Sequence, residues 1–303
     1  MTHGNQQLLT SNEAGARTVY IPFKPPYDWE MLIGFLQPRA IPGLESVSSE
    51  SYKRVFTTGD RAGVLEVRQA PDRGSLTLKV PGVGERNLNR IRLGISRLFD
   101  CGADPGPIAE HLSKQPLLKD LVSRRPGVRV PGAFDGFEIA VRAVLGQQVT
   151  VRAATTMAGR LVTAFGNKVA PLESPLLTGL FPAAATLAEA DLTLIGLTRA
   201  KQAAIAGLAR AHLSEPLLFE PSNDPRAAVA RLIEIPGIGQ WTAEYIAMRA
   251  LKDPDGFPAS DLGLLRAVSN ISGPIGSKDL ENRSKVWRPW RAYAAMYLWT
   301  TLG

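Results

Sequence analysis

One short segment, from Leu232 to Asp261, constrains the fold of this chain more than any other. Asp224-Pro225 has the residues of a helix start, because Asp caps helices and Pro suits the first helical position. Pro236-Gly237 ends that helix, Gly239 allows a backbone geometry that larger residues resist, and a second helix is predicted over about 240–251. The segment therefore predicts two helices joined by a tight Pro-Gly-Ile-Gly turn.

The start of the second helix is a candidate phosphate site. Its first backbone N–H groups have no partner within the helix and lie at the positive end of the helix dipole. Such contacts position a DNA duplex without reading its sequence. An ordinary helical hairpin remains the alternative, because connections between helices are normally this short. Asp261 also has two interpretations: it is a good N-cap for the helix that follows, and it is a lone carboxylate beside a phosphate anchor.

The charge of the chain favours a polyanionic partner. It has 303 residues, enough for two or three domains, and 35 Lys and Arg against 28 Asp and Glu give a net charge of +7. No apolar run approaches the ~18 residues of a membrane span and no secretory signal is visible, so we expect a cytoplasmic, nucleoid-associated protein of bacterial type. Cys101 is the only cysteine, which excludes an intrachain disulfide and a four-cysteine iron–sulfur cluster.

Hydrophobic periodicity divides the chain into an α+β plan. Leu65 and Val67, and then Leu76, Leu78 and Val80, alternate with polar residues around a turn at 71–74, which predicts an antiparallel hairpin. From about residue 106 the pattern is mostly helical, with short Gly/Pro connections. We therefore predict a disordered extension over 1–17, an α/β domain with an antiparallel sheet over 18–105, and a helical region over 106–303.

The segment 232–261 resembles the helix-hairpin-helix DNA glycosylase superfamily, whose signature is such a hairpin followed by an Asp. Other segments, in the right order, resemble one member type, 3-methyladenine DNA glycosylase II (the AlkA type). These segments are Pro25-Pro26-Tyr27-Asp28-Trp29 with Gly34-Phe35-Leu36 and Arg39-Ala40, Arg125-Pro126-Gly127 with the run 141–149, and the run 287–294. The resemblance implies two helical subdomains that flank a cleft, at about 136–253 and at 106–135 plus 254–303.

The resemblance implies a monofunctional glycosylase that excises alkylated purines such as 3-methyladenine and 7-methylguanine, with hypoxanthine as a further candidate, in base excision repair. Asp261 occupies the catalytic Asp position, where a carboxylate stabilises the positive charge that builds on the sugar and can also act as a base toward water. Members that also cut the strand carry a Lys two residues after the last Gly of the turn. Trp241 stands there, so we expect no strand cleavage.

Aromatic residues are predicted to form the pocket for the base. Trp241 and Tyr245 are four residues apart and share a helix face. With Trp290 and Phe35 they match aromatic pocket positions of the family, and such a wall attracts a cationic base by about 1–2 kcal/mol when it is desolvated. Two further indoles are predicted to lie in the core, Trp287 and Trp299.

A base inside a duplex must be flipped out, and a side chain fills the gap. The matching position is Gln148, after Gln147, where the best-known relatives carry Leu. The predicted DNA contacts are Gly237, Ile238, Gly239, Gln240, Thr242, Gln147 and Gln148. The resemblance also implies a Na+ or K+ site on the backbone carbonyls of Ile233, Ile235 and Ile238, and no required cofactor. The expected partner is double-stranded DNA, bound by a monomer.

Two other functions compete with an alkyl-purine glycosylase. The first is a sister glycosylase for oxidised purines or mismatched adenine, which the missing Lys and the missing cluster cysteines disfavour. The second is a non-catalytic DNA-binding module that kept only the hairpin. The presence of Asp261 together with the aromatic set disfavours this second alternative.

Overall fold

A computed structural model of the chain describes residues 9–10, 15–59, 61–169, 176–221 and 224–302. The strands are β1 (Leu9–Thr10), β2 (Arg17–Pro22), β3 (Glu45–Val47), β4 (Ser51–Thr57), β5 (Arg61–Ala70) and β6 (Ser75–Val80). They form one sheet in the order β2-β6-β5-β4-β3, antiparallel throughout, with β1 added to β5 in parallel. The predicted α+β fold with an N-terminal antiparallel sheet is therefore confirmed.

The helices fall into three groups along the chain. Those of the sheet region are α1 (Trp29–Leu36) and α2 (Glu85–Leu98). The next are α3 (Pro105–Leu112), α4 (Lys119–Arg124), α5 (Gly136–Leu145), α6 (Val151–Phe165), α7 (Ala184–Glu189), α8 (Arg199–Ser214), α9 (Pro225–Ile233) and α10 (Gln240–Arg249). The last are α11 (Leu262–Ser272), α12 (Ser277–Ser284) and α13 (Arg291–Trp299). Within these ranges no helix is long and apolar enough to cross a membrane.

The hairpin of β5 and β6 follows the alternation in the sequence. Leu65, Val67, Leu76, Leu78 and Val80 all have fully buried side chains. A 3-10 turn over Pro71–Arg73 connects the strands, and Gly74 ends it at φ +56°, a left-handed conformation that glycine adopts at no steric cost. One face of the sheet therefore packs inward, as the pattern predicts.

Some residues of the predicted disordered extension over 1–17 lie in strands of the structure. Leu9–Thr10 pair with β5 at Arg61 and Ala62, and Arg17 is the first residue of β2. β5 is longer than β6 and pairs with it only from Glu66 onward. On the side of β5 that faces β6, the backbone groups before Glu66 are therefore available to pair with another strand. The rest of this prediction, residues 1–8 and 11–14, lies outside the described residues.

The buried side chains form two clusters. One cluster joins the sheet, α1 and α2 to α3, α4 and the helices α11 and α13. The other unites α5, α6, α7, α8, α9 and α10, and it also includes Val55 of β4 and Ala62 of β5. Both clusters therefore contain residues of the sheet, and the predicted boundaries of the two helical subdomains stay a prediction. Phe35 at the end of α1 packs against the first cluster and Tyr245 on α10 packs against the second, and the rings of both lie near Trp299.

A network of buried charges connects the sheet to α5. Arg54 on β4 donates to Glu45 on β3 at 3.1 Å and also pairs with Glu138 on α5. Arg142, one turn further along α5, lies 3.1 Å from Glu45 and 3.0 Å from Glu138. Buried charges of this kind are tolerated only when each has partners of opposite sign. The network fixes the position of α5, and hence of the loop that follows it, relative to the sheet.

Candidate active site and nucleic-acid interface

The turn between α9 and α10 depends on Gly237 rather than Gly239. Gly237 has φ +86°, and a Cβ there would lie 2.9 Å from the Cβ of Ala204 on α8. Gly239, expected to need the special geometry, has φ −90°, which any residue adopts. Its surroundings are open, because a Cβ there would meet no atom within 4 Å. The glycine at 239 therefore leaves room for an approaching group instead of relieving strain.

The start of α10 has the features of a phosphate site. No side chain caps the helix, so its first N–H groups are not satisfied by a capping residue, and Gly237, Gly239 and Gln240 are exposed there. Ile238 and Thr242 differ from the prediction, since their side chains are 3% and 2% exposed. They face the core, so only their backbone can contribute to such a site.

The loop after α5 is tied to this turn by Gln147. Its side-chain amide donates to the carbonyl oxygen of Gly237 at 3.0 Å and to the Thr242 hydroxyl at 2.9 Å. The amine of Lys201 holds the preceding turn by donating to the carbonyl oxygen of Leu145 at 2.8 Å. The amide nitrogen of Gln147 is thus engaged within the protein, and the DNA contact expected of this residue stays a prediction. Sequence reasoning missed this role because the two acceptors are 90 and 95 residues away.

Gln148, next in the chain, projects outward. It is exposed and has φ +57°, a left-handed conformation that is uncommon for a residue other than glycine. A backbone held in this region costs about 1–3 kcal/mol and persists when its surroundings fix it, which the bonds of Gln147 do here. The structure therefore presents the predicted wedge residue at the tip of a constrained loop.

The carboxylate of Asp261 is held by three donors. Its Oδ1 accepts from the backbone N–H of Leu264 at 2.9 Å, so the residue is the N-cap of α11. Oδ1 also accepts from Trp299 Nε1 at 3.0 Å, and Oδ2 accepts from Trp241 Nε1 at 3.0 Å. The capping interpretation and the functional one therefore coexist, because half of the carboxylate caps the helix while Oδ2 faces the side chain of Trp241.

Gly263 permits this arrangement. A Cβ at this position would lie 2.9 Å from Asp261 Oδ1 and 3.2 Å from Trp299 Nε1. Real Cβ atoms do not come this close to an oxygen, so any larger residue displaces the carboxylate or the indole. The glycine in the first turn of α11 is thus explained by the contact and not by backbone freedom, since its φ is not left-handed.

An aromatic group surrounds the carboxylate, and Trp299 is its centre. Trp241 and Tyr245 stack with ring centroids 5.4 Å apart. Trp299 lies 6.5 Å from Tyr245 and 6.4 Å from Phe35. The prediction that Trp299 lies in the core is therefore corrected, because Trp299 belongs to this group. Trp290 packs edge-on against Tyr293 at 5.9 Å, and its place in the pocket stays a prediction.

Trp290 and Trp299 lie at opposite ends of α13. Trp290 precedes the helix and Trp299 is its last residue, so about 13 Å of helix separates them. Hydrophobic periodicity could not indicate which of these tryptophans lies beside Asp261, because α13 is buried on almost all of its faces. Trp287, also predicted to be core, is 1% exposed. That prediction is confirmed.

Phe35 reaches the group from the end of α1. Asp28 caps this helix by accepting from the N–H of Met31 at 2.9 Å, and Arg125 pairs with the same carboxylate at 2.8 Å. The capped helix is amphipathic and buries its apolar side against the sheet. Phe35, in its last turn, is left half-buried at the cleft.

Arginines lie behind the aromatic group, and the sequence gave no indication of them as site residues. Arg249 Nη1 donates to the Tyr245 hydroxyl at 2.6 Å. Burial raises the pKa of the Tyr245 hydroxyl, but the nearby guanidinium groups of Arg249, Arg39 and Arg142 outweigh it, so the pKa lies below its ordinary value. The polar end of this ring therefore lies in a strongly positive environment.

A tight glycine turn at a helix N-terminus and a carboxylate among aromatic side chains, beside an N-terminal antiparallel sheet, are the features of a helix-hairpin-helix protein. The chain belongs to the family described as HhH-GPD superfamily base excision DNA repair protein, which matches residues 141–292. Residues 18–135 match the AlkA N-terminal domain. Together the two matches take in the hairpin, Asp261 and Phe35, although Trp299 lies beyond them.

Individual relatives agree with this assignment. The chain is 39% identical to the probable bifunctional transcriptional activator/DNA repair enzyme AlkA of Mycobacterium tuberculosis, over 95% of this chain but 58% of that protein, so it spans little more than half of that relative. It is 31% identical to DNA-3-methyladenine glycosylase 2 of Escherichia coli K12, over 93% of this chain and 96% of that one. The structure of 3-methyladenine DNA-glycosylase from Archaeoglobus fulgidus superposes with a TM-score of 0.79 at 23% identity, covering 93% and 97% of the two chains, which shows a common fold.

Proposed function

We propose that this chain is a DNA glycosylase that excises alkylated purines, such as 3-methyladenine and 7-methylguanine, in base excision repair. The observation that carries the proposal is the carboxylate of Asp261, oriented by the indole N–H groups of Trp241 and Trp299 at the edge of an aromatic cleft. Membership of a base excision repair family and the name of the Escherichia coli relative support it.

The reaction needs little from the protein beyond a well-placed negative charge. As the N-glycosidic bond breaks, positive charge develops on the sugar, and a fixed carboxylate stabilises it without reorganising. Three hydrogen bonds hold the carboxylate of Asp261 in one orientation. Oδ2, which accepts one of them, keeps a lone pair for the sugar or for the attacking water. Asp261 is therefore an electrostatic stabiliser first and a base for water second.

The same geometry supports a monofunctional enzyme. A Schiff-base mechanism requires an amine near C1′. Trp241 occupies the position from which such an amine acts in strand-cutting members, and its Nε1 donates to Asp261 at 3.0 Å. The product of the proposed reaction is thus an abasic site in an intact strand.

We propose double-stranded DNA as the partner, bound by a monomer at the nucleoid in the cytoplasm. The exposed start of α10 would grip a backbone phosphate, and Gln148 would enter the gap left by the flipped nucleotide. A net charge of +7 adds long-range attraction to the duplex.

The turn would also hold Na+ or K+ through the carbonyl oxygens of Ile233, Ile235 and Ile238. Among the described residues Ile238 N–H donates to the carbonyl oxygen of Ile235, and no hydrogen bond is made to the carbonyl oxygens of Ile233 and Ile238. Unpaired carbonyls at a helix end fit a monovalent cation, which prefers oxygen ligands. The ion would attract phosphate to the turn, and no other cofactor is required.

Single-turnover base release tests the proposal. Duplexes with one 7-methylguanine would be incubated with the wild type and with Asp261→Asn, and aliquots analysed with and without alkali. Asn still caps a helix, so the substitution removes the charge and keeps the fold. We expect strand breaks only after alkali, and base release at least about a hundredfold slower in the variant.

The control for this experiment is Asp104→Asn. Asp104 caps α3 by accepting from Gly106 N–H at 3.1 Å, so it undergoes the same chemical change outside the aromatic group. Its base release should match the wild type. Duplex binding by the wild type without release of any alkylated base would contradict the proposal and leave a DNA-binding module. Breaks before alkali would contradict the monofunctional assignment alone.

A further inference from the structure

Two arginine side chains lie on the ring of Phe35, and one of them is fully engaged within the protein. The guanidinium of Arg249 lies 4.9 Å from the ring centroid and is 3% exposed. Its nitrogens donate to the carbonyl oxygens of Pro131 and Gly132 and to the hydroxyl of Tyr245. Arg249 therefore supports the aromatic group from behind, and its burial keeps it away from a ligand.

Arg39 differs from it. Its guanidinium carbon lies 3.8 Å from the Phe35 centroid, Nη1 donates to the backbone oxygen of Phe35 at 2.9 Å, and the hydroxyl of Tyr245 lies close by. An arginine carries five N–H donors, so these contacts do not use them all. None of its nitrogens is among the buried side-chain atoms that lack a partner. Arg39 is only half-buried, so part of its side chain remains open to solvent beside the aromatic group.

Cationic and neutral purine lesions differ in the charge of the departing base, so they differ in the stabilisation that their departure requires. A purine nucleotide alkylated at N3 or N7 carries a positive charge on the base, so the base departs as a neutral molecule. A neutral purine such as hypoxanthine departs as an anion, with negative charge spread onto N7 and O6. Donors that strengthen as charge develops accelerate a reaction, and arginine pairs well with the O6 and N7 edge of a purine. A guanidinium in the pocket thus favours the neutral lesion and repels the cationic one.

We propose that Arg39 is the residue that selects neutral purine lesions, by donating to the O6 and N7 edge of a flipped hypoxanthine as the base leaves. The inference rests on the proposed glycosylase function. Both electrons of the C1′–N9 bond pass to the purine, water adds to C1′ and loses a proton, and solvent protonates the released purine. Arg39 stabilises the anion before that proton arrives.

The test compares two lesions in one protein. Single-turnover release from duplexes with one hypoxanthine or one 7-methylguanine would be measured for the wild type, Arg39→Met and Arg39→Lys. We expect the ratio of the hypoxanthine rate to the 7-methylguanine rate to fall about a hundredfold in Arg39→Met. Arg39→Lys should recover part of this loss, because it restores the charge without the planar fork.

Arg73→Met is the matched control. Arg73 also lies over an aromatic ring, with its guanidinium 4.7 Å from the centroid of Tyr20 on the sheet, so the same contact is removed away from the cleft. Its rate ratio should equal that of the wild type. Equal losses on both lesions in Arg39→Met would overturn the inference, as would a wild type that releases 7-methylguanine but not hypoxanthine. A wild type that releases neither would instead contradict the proposed function.

Discussion

Asp261 is positioned by residues that are distant in sequence. Trp241 is 20 residues before it and Trp299 is 38 residues after it, yet both donate to its carboxylate at 3.0 Å. The third donor, Leu264 N–H, comes from the helix that Asp261 caps. The orientation of a single side chain thus depends on α10, α11 and α13 together, and small changes at any of them should alter base release.

Gly263→Ala tests how tightly this carboxylate is held. Alanine ordinarily stabilises a helix by about 1 kcal/mol relative to glycine. Here its Cβ would lie 2.9 Å from Asp261 Oδ1, so we expect base release to slow about tenfold or more while the melting temperature does not fall. The control is Gly106→Ala, at the same position after the N-cap of α3, where the Cβ would be 3.4 Å from Asp104 Oδ1. Equal base release by the two variants would contradict the prediction.

Trp299→Phe tests the contribution of the indole N–H apart from that of the aromatic ring. Phenylalanine keeps a ring near Phe35 and Tyr245 but cannot donate to Asp261, so we expect base release to slow by about tenfold, for the loss of about 1–2 kcal/mol of hydrogen bonding to a charged group. Trp290→Phe makes the same change outside the group and should leave base release unaltered. If Trp290→Phe slowed base release more than Trp299→Phe, the result would instead assign Trp290 to the pocket.

At the scale of elements, the loop after α5 and the turn before α10 form one unit. Gln147 donates to both the Gly237 carbonyl and the Thr242 hydroxyl, so the loop that presents Gln148 cannot move far without disturbing the proposed phosphate anchor. Such a link would couple the grip on the backbone to the step that fills the gap in the duplex.

Gln147→Leu should therefore lower the stability of the protein, whereas Gln148→Ala should slow nucleotide flipping. Gln147→Leu removes the donor to a buried hydroxyl and a carbonyl, and we expect the free energy of unfolding to fall by about 1–3 kcal/mol in urea titrations. Gln148→Ala should change it by less than about 0.5 kcal/mol, because the side chain is exposed, but should slow nucleotide flipping, observed with a fluorescent base opposite the lesion. A destabilised Gln148→Ala would show that the loop conformation depends on that side chain instead.

Local signals in the sequence predicted the elements of the hairpin well. Asp224 and Asp261 cap α9 and α11 as expected, and α10 begins at Gln240. Pairings between distant segments were not predictable, because periodicity reports which face is apolar and not what that face meets. This is why β1, the role of Gln147 and the position of Trp299 emerged only from the structure.

At the scale of the whole molecule, the buried charges between the sheet and α5 govern the response to acid. Burial raises the pKa of the Glu45 carboxyl, but Arg142 and Arg54 outweigh it and bring the pKa from 4.5 to about 2. The folded state thus favours the ionised form. The stabilisation is complete above pH 4.5 and is lost as the pH falls through about 2.

Glu45→Gln should remove this dependence. It leaves two buried guanidinium groups with one carboxylate, and we expect the free energy of unfolding at pH 7 to fall by about 3–5 kcal/mol. Urea titrations between pH 7 and pH 3 should also show a shallower decline in stability than in the wild type. The control is Glu50→Gln, because Glu50 is an exposed residue in the connection between β3 and β4. An unchanged pH profile in Glu45→Gln would contradict the assignment of the acid response to this network.

The same network bears on how proteins of this type can diversify. Glu45 and Arg54 lie within 18–135, whereas Glu138 and Arg142 lie after that segment, so the ion pairs of Arg54 with Glu138 and of Arg142 with Glu45 cross the end of the first family match. A recombinant that joins the first segment of one relative to the second segment of another keeps these crossing ion pairs only if both segments carry the network. Without them, the position of α5 relative to the sheet loses two of its buried contacts. The sheet and α5 therefore form one structural unit, although the two family matches divide them.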